Sequence, residues 1–450
     1  MRIFLHMDDL RVHDNAGLSE AGSGDEVLPV HVRDPRIVER QGEKKRKFRE
    51  GALERLRQEY HERDGSLLLR DGRTADMVEH VAQAFDAEAV YYNRSYSPLK
   101  MEIERELEEL ELESRSFKDR LLVEPRELET EYSTFSQFYS DWKQVGKRAP
   151  FHGPEQVADV EEENQAEGLE ADELPEPGEE AALERWESFR DERLERYKYD
   201  RDDVSDPEAV SRLSPYYSSG LLGLRTVLSD IEEMIRREDD SGKIRNYAKY
   251  RSELAWREFF YQVLYHNPES VTENYKDFEN GIDWRNDPEE LEAWKEGRTG
   301  VPFVDAGIRE LLETGYMHNR LRQNVASFLT KHLMIDWREG ASFFRKHLVD
   351  HDTASNTGGW QWSASTGTDS VPVRIFNPVK QGRKYDENSD YIRRWIPELR
   401  DLDPEEIHRW VEMGEEERSR LETDYPSPIV DFDARYHEGK KMFERALGKR

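Results

Sequence analysis

Residues 315–378 read GYMHNRLRQNVASFLTKHLMIDWREGASFFRKHLVDHDTASNTGGWQWSASTGTDSVPVRIFNP. Acidic patches fill much of the remaining chain, but here aromatic, amide and arginine side chains take over. Asn319, Arg322 and Gln323 are spaced i, i+3 and i+4, one face of a helix. Trp337 closes an apolar run, and Trp360 and Trp362 flank Gln361 after a Gly-Gly step. Asp350 and Asp352 stand between them, at a helix-to-loop junction. A large flat ring is costly to leave in water, so tryptophans clustered near charges suit a lined pocket. Taken singly, each of these residues also suits a tryptophan-rich helical core closed by ion pairs. The combination does not, because a core has no need of GGWQW followed by STGTD.

The whole chain sets the bounds. Its 450 residues suffice for two or three domains, each with its own core. The formal net charge is −31, which points to a protein kept soluble in concentrated salt, where self-repulsion is screened. There is no cysteine, so disulfides and thiolate metal sites are excluded, and no metal is expected. The chain opens MRIFL, directly into a strand-like run rather than a leader. No apolar run approaches the roughly 18 residues of a membrane span. A soluble cytoplasmic protein with no membrane partner is expected.

Upstream, short β-like runs at 3–5, 27–32, 67–69 and 89–92 alternate with helical stretches such as 48–63 and 74–85. That alternation predicts βαβ units and a doubly wound parallel sheet. No GxGxxG follows the first strand, which argues against the usual dinucleotide mode. Residues 154–184 contain no lysine or arginine and read as an acidic linker. From 182 onward the pattern is helical, clearest at 231–237, 247–265, 303–312, 320–337 and 343–349. The fold class is therefore α/β followed by all-α. The divisions fall at 1–125, 126–190 and 191–450.

The segments TGYMHNRLR, ASFLTKHLMIDWREG, LVDHDTASNTGGWQWSASTGTD and RIFNPVKQGRKYD closely resemble the flavin domain of the photolyase/cryptochrome family. The resemblance runs back through 294–311, 252–260 and 211–225, and more weakly to DDLRVHDN at 8–15. It implies a Rossmann-like antenna domain, then a helical FAD-binding domain. Ser211, Arg212, Leu213 and Ser214 resemble the cofactor's phosphate clamp, although Val210 replaces a usual threonine. Tyr197, Arg257, Arg322, Asp350 and Asp352 match cofactor contacts, and Asn356 matches the residue opposite flavin N5. An amide there favours the fully reduced flavin that a repair enzyme uses. Trp284, Trp337 and Trp360 match a three-tryptophan electron relay.

Trp256 and Trp362 match the two surfaces that stack on damaged bases, and Glu253 and Asn319 match hydrogen-bonding groups to them. Gln323 stands where a methionine is usual, and Tyr316 where a tryptophan is usual. Arg201, Arg320 and Arg374 match residues facing DNA phosphates. Leu5, His6 and Met7 replace a family Trp-Phe-Arg. Leu99 and Lys100 replace an Asn-Glu pair of the folate-binding members. A deazaflavin antenna is therefore expected ahead of a folate, or no antenna at all. The expected function is blue-light-driven repair of cyclobutane pyrimidine dimers in DNA, by a monomer. The alternative is a cryptochrome-like photoreceptor that binds FAD and repairs nothing.

Overall fold

Five strands form one parallel sheet in the order β3-β2-β1-β4-β5: β1 Arg2–His6, β2 Val27–Arg33, β3 Leu68–Asp71, β4 Ala89–Asn93 and β5 Glu113–Phe117. The computed structural model describes residues 1–128, 130–160 and 174–448. Register pairs Ile3 with Leu28 and Val90, so the apolar runs lie side by side. Helices α1 (Glu43–His61), α2 (Thr74–Phe85) and α3 (Pro98–Glu108) link the strands. Val78, Val81, Ile103 and Leu107 pack onto Ile3, Leu5, Leu28, Val30 and Leu68 in one apolar cluster. Strands buried in this way read as continuous hydrophobic runs, which is why four of them are legible in the sequence. β5 is not, because Glu113-Ser114-Arg115-Ser116 is polar and partly exposed at the sheet edge.

A small pocket lies at the carboxyl ends of β1 and β2. Parallel sheets ordinarily receive ligands at this end. Leu5, Ile37, Val38 and Leu53 give it apolar walls, and Arg33, Arg46, Arg49 and Lys100 give it positive ones. Lys100 and Arg49 both pair with Asp8.

The chain forms two compact units. The first comprises 1–198, 210–268 and 349–354, and the second 199–209, 269–348 and 355–450. In the first, α4 (Phe135–Trp142) buries Phe138 and Trp142, and a long helix α5 (Ser241–His266) starts at an Asp240 cap. Residues 161–173 of the acidic stretch lie outside the described residues. Its beginning is tied down, since Ala158 N donates to Val27 O at 2.8 Å.

The second unit is helical around one large apolar cluster that includes Trp294, Val304, Leu321, Phe328, Trp337 and Trp360. The single helix expected over 320–337 is broken. Helix α6 (Asn319–Ser327) passes into a π turn, Phe328–His332, and Trp337 begins a separate helix α7 (Trp337–His347). The break has a local cause. Met334 takes a left-handed φ of 54°, and the Asp336 side chain caps the new helix by accepting from Arg338 N at 3.0 Å. The Gly-Gly step lies inside helix α8 (Thr353–Ala364).

Candidate active site

The first unit gathers two groups of the expected residues. Ser211 Oγ accepts from Tyr250 OH at 3.0 Å, and the Tyr250 ring meets Tyr197 edge-on at 5.0 Å. Arg185 Nε donates to Ser211 O at 2.8 Å. Arg212 is held at φ 55°, a conformation that costs a non-glycine residue of order 1–3 kcal/mol and that concentrates at ligand sites. Leu213 is buried beneath it, and Ser214 opens a helix with Pro215 in its first turn.

The second group surrounds Asp352. Its Oδ2 accepts from Arg120 Nη2 at 3.0 Å and from the Tyr261 hydroxyl. Arg257 stacks on the Tyr261 ring at 4.7 Å and donates to Arg120 O at 3.1 Å. Burial, reinforced by Asp352, raises the Tyr261 phenol above its ordinary range. Asp350 is buried in the same unit.

On α5, Glu253 Oε1 lies 2.6 Å from Lys249 Nζ. One turn on, Trp256 is covered on one face by Phe135, with ring centroids 3.8 Å apart and planes 8° from parallel. Tyr139 continues the stack on Phe135 at 5.3 Å. Both covering rings come from α4.

The second unit holds the remaining residues. Asn356 Nδ2 donates to Ala341 O at 3.1 Å, leaving Oδ1 buried with no hydrogen-bond partner. Arg322 Nε donates to Met317 O at 2.8 Å, and its guanidinium lies 5.7 Å from the Tyr316 ring. Trp360 packs edge-on against Phe344 at 4.9 Å and against a fourth tryptophan, Trp294, at 6.1 Å. Gly340 is required there, because a Cβ would sit 2.0 Å from the Trp360 ring. Trp337 Nε1 donates to Asn274 Oδ1 at 2.9 Å. Trp284, half-buried, meets Phe443 at 5.7 Å. The three expected relay rings thus border one apolar cluster.

Asn319, exposed, is the first residue of α6. Gln323 Oε1 accepts from Arg320 Nη1 at 3.0 Å, so its carbonyl is satisfied within the helix. Arg320 Nη2 also donates to Asp202 at 2.7 Å, and Arg201 Nε is 3.8 Å from the same carboxylate. His318 joins the two arginines through their backbones: its Nδ1 accepts from Arg320 N, and its Nε2 donates to Arg201 O, each at 3.0 Å. Burial lowers the His318 pKa to about 4 and keeps the ring neutral for both bonds. Arg374 lies 4.9 Å from the Trp362 ring and grips Asp369 twice, at 2.8 and 3.2 Å.

Comparison with known proteins supplies the family. The family described as "FAD binding domain of DNA photolyase" matches residues 250–445, and "DNA photolyase" matches 2–157. The chain is 39% identical to the deoxyribodipyrimidine photo-lyase of Halobacterium salinarum, with 100% of both chains covered. The chain belongs to the photolyase/cryptochrome family. Among solved members, a class III photolyase from Agrobacterium tumefaciens superposes with a TM-score of 0.90 at 32% identity, covering 100% of this chain and 98% of that one. A Synechocystis cryptochrome reaches the same TM-score at 27% identity, covering 98% and 99%. Shape alone therefore does not separate the two branches of the photolyase/cryptochrome family.

The residues fit the flavin this family binds. The stranded Asn356 Oδ1 is a buried acceptor, a feature that costs about 1–3 kcal/mol unless a donor reaches it. The N5–H of a reduced flavin is such a donor. Reading the sequence left out Phe135, Arg120, Tyr261, Asn274, Asp202 and Asp369. Only Tyr261 had a local signal, one turn after Arg257 on the same helix face. Among the described residues, His13, Glu59 and Glu179 bring ligand-type atoms within 4.8 Å of one another. Glu179 there accepts from Val12 N and His13 N, and Arg63 Nη2 lies 2.9 Å from His13 Nε2.

Proposed function

We propose that this protein is a deoxyribodipyrimidine photolyase that repairs cyclobutane pyrimidine dimers in DNA under blue light. The observation that carries the reading is Asn356. Its Nδ2 donates one hydrogen to the Ala341 carbonyl, and its Oδ1 is a buried acceptor without a partner, an atom able to meet the cofactor. An acceptor suits a flavin that already carries its N5 hydrogen, the form needed for repair. Bound FAD, reduced and excited by blue light, supplies one electron to the dimer and takes it back once the ring has opened.

The protein's own groups bind and orient. Ser211, Arg212 and Ser214 hold the diphosphate, helped by Tyr197 and Leu213. Arg257, Arg322, Asp350 and Asp352 hold the ring and ribose. Trp256 and Trp362 offer flat faces to the extruded bases, and Glu253, Asn319 and Gln323 offer polar edges. Arg201, Arg320 and Arg374 take the phosphates. Trp284, Trp337 and Trp360 reload the flavin with electrons, a task suited to two rings buried in one apolar cluster and a half-buried third packed against it.

Three further points belong to the same proposal. The division at 1–125, 126–190 and 191–450 separates antenna, linker and catalytic domains. The protein works as a cytoplasmic monomer, and no helix among the described residues is long and apolar enough to cross a membrane. A deazaflavin, or nothing, occupies the antenna site, because Leu99 and Lys100 replace the folate-binding pair and Lys100 is engaged by Asp8.

The test is repair of a defined dimer in light against a dark control, with flavin measured after gentle denaturation. Light-dependent repair by yellow protein is expected. A flavin-loaded protein that repairs nothing would make it the photoreceptor instead. A colourless protein that FAD does not reconstitute would end both readings.

A further inference from the structure

Every arginine proposed to meet a DNA phosphate has an aspartate within ion-pair distance. Asp202 Oδ1 lies 2.7 Å from Arg320 and 3.8 Å from Arg201, so one carboxylate serves two guanidiniums. Asp369 takes Arg374 in a two-point grip. Neither arrangement is a loose surface encounter. His318 fixes the backbones of Arg201 and Arg320, and Tyr385 backs the Arg320 guanidinium at 4.5 Å. Asp369 also accepts from Val371 N at 3.1 Å, while Arg374 N donates to Ser365 Oγ at 3.0 Å. Burial works against the Asp369 charge, but the Arg374 and Val371 hydrogen bonds outweigh it and hold the carboxyl below its ordinary range.

We propose that Asp202 and Asp369 restrain phosphate-driven DNA binding, as resident carboxylates that compete with DNA phosphates for Arg201, Arg320 and Arg374. The proposal rests on the repair reading above. Undamaged duplex offers phosphates alone and must displace a carboxylate already in place, so it gains little. A dimer adds stacking on Trp256 and Trp362, worth about 1–3 kcal/mol per base, which the carboxylates do not oppose. Competition therefore costs both duplexes the same phosphate energy, and it leaves undamaged DNA, which has no stacking to add, weakly bound. The Asp202 side chain is 36% exposed, so it leaves its arginines easily once a lesion has docked.

The experiment is an anisotropy titration of flavin-loaded protein with undamaged and dimer-containing duplexes across a potassium chloride series. Wild type is compared with Asp202→Asn, Asp202→Glu and Asp369→Asn. Each phosphate newly neutralised steepens the log–log salt slope by about 0.9, so Asp202→Asn is expected to steepen it by roughly 1–2 on undamaged duplex. Its affinity for both duplexes should rise about tenfold at low salt. Asp369→Asn should show about half the change in slope. Asp202→Glu should restore wild-type behaviour, which a merely structural role for Asp202 would not require. If wild type discriminates and both Asn variants keep its slope and its weak binding to undamaged DNA, the proposal is overturned. A wild type that neither discriminates nor repairs overturns the repair reading, and this proposal with it.

Discussion

Arg225 and Arg374 both grip aspartates, but they do so in different surroundings. In the first unit, Arg225 reaches Asp14 at 2.5 Å and also pairs with Asp119, which Arg11 holds at 2.6 Å, and all four side chains are at most 4% exposed. Asp14 further accepts from Thr226 N and Oγ1, each at 3.2 Å, and Asp119 accepts from Ala16 N at 3.0 Å. In the second unit, Arg374 is 32% exposed over an Asp369 that is 5% exposed, while Arg201 and Asp202 are 24% and 36% exposed. The same chemical pair does two jobs. A dry, hydrogen-bonded pair fixes a fold, because removing one partner strands a buried charge. A wet pair contributes little to stability and can change partners.

Four measurements test that contrast. The largest effect should come from Asp119→Asn, which leaves Arg11 and Arg225 buried without their shared countercharge and should cost about 3–5 kcal/mol in urea unfolding. A loss below about 1 kcal/mol would place the dry network with the wet pairs. Next, Trp256→Ala should weaken lesion binding by about 1–3 kcal/mol, more than Arg374→Ala does at high salt. The reverse ranking would mean that phosphate contacts dominate. Phe135→Ala, which removes the ring stacked on Trp256, should cost lesion affinity about 0.5–1.5 kcal/mol while leaving flavin content unchanged.

The third measurement concerns acid. Asp34 is buried, which opposes its charge, but bonds from Arg36 and Thr74 overcome this and lower its pKa to about 2. A depressed carboxyl contributes stability that is complete above its unfolded value near 3.8 and is lost as pH falls through about 2. The carboxyl carbon shift of Asp34 should therefore titrate with a midpoint near 2, and a midpoint near 4 would contradict the geometry. The smallest effect belongs to Asp202→Asn, whose change in unfolding free energy should stay within about 0.5 kcal/mol despite its effect on DNA. A large loss would make Asp202 part of the scaffold.

The legible parts of this chain were those with period or motif. Four strands showed as apolar runs, and 74–85 matched its helix because Ala75, Val78, Val81, Ala82 and Phe85 recur at helical spacing. The proposed site residues rest on the resemblance alone, since Ser211, Asn356 or Trp284 by itself would pass for caps and core. Partners contributed by distant segments left no local trace. Arg120 reaches Asp352 across 232 positions, and Phe135 meets Trp256 from a stretch read as linker. The break at Met334 was hidden because the composition of 320–337 favours a helix throughout, and neither the left-handed φ of Met334 nor the Asp336 cap can be read from composition.

Gln361 was noted at first only as the residue between two tryptophans. Its side chain, 2% exposed, donates to Ser270 O at 2.7 Å and Glu273 O at 3.0 Å, and accepts from Tyr275 N at 2.8 Å. Those bonds fix the segment that carries Asn274, and Asn274 holds the Trp337 ring nitrogen. In evolutionary terms, Gln361 is pleiotropic. A lineage that altered it to reshape the base-stacking wall beside Trp362 would at once disturb the footing of Trp337. On the proposed roles of Trp362 and Trp337, substrate range and photoreduction are coupled through one amide, and a directed-evolution library that randomises GGWQW should move both traits together.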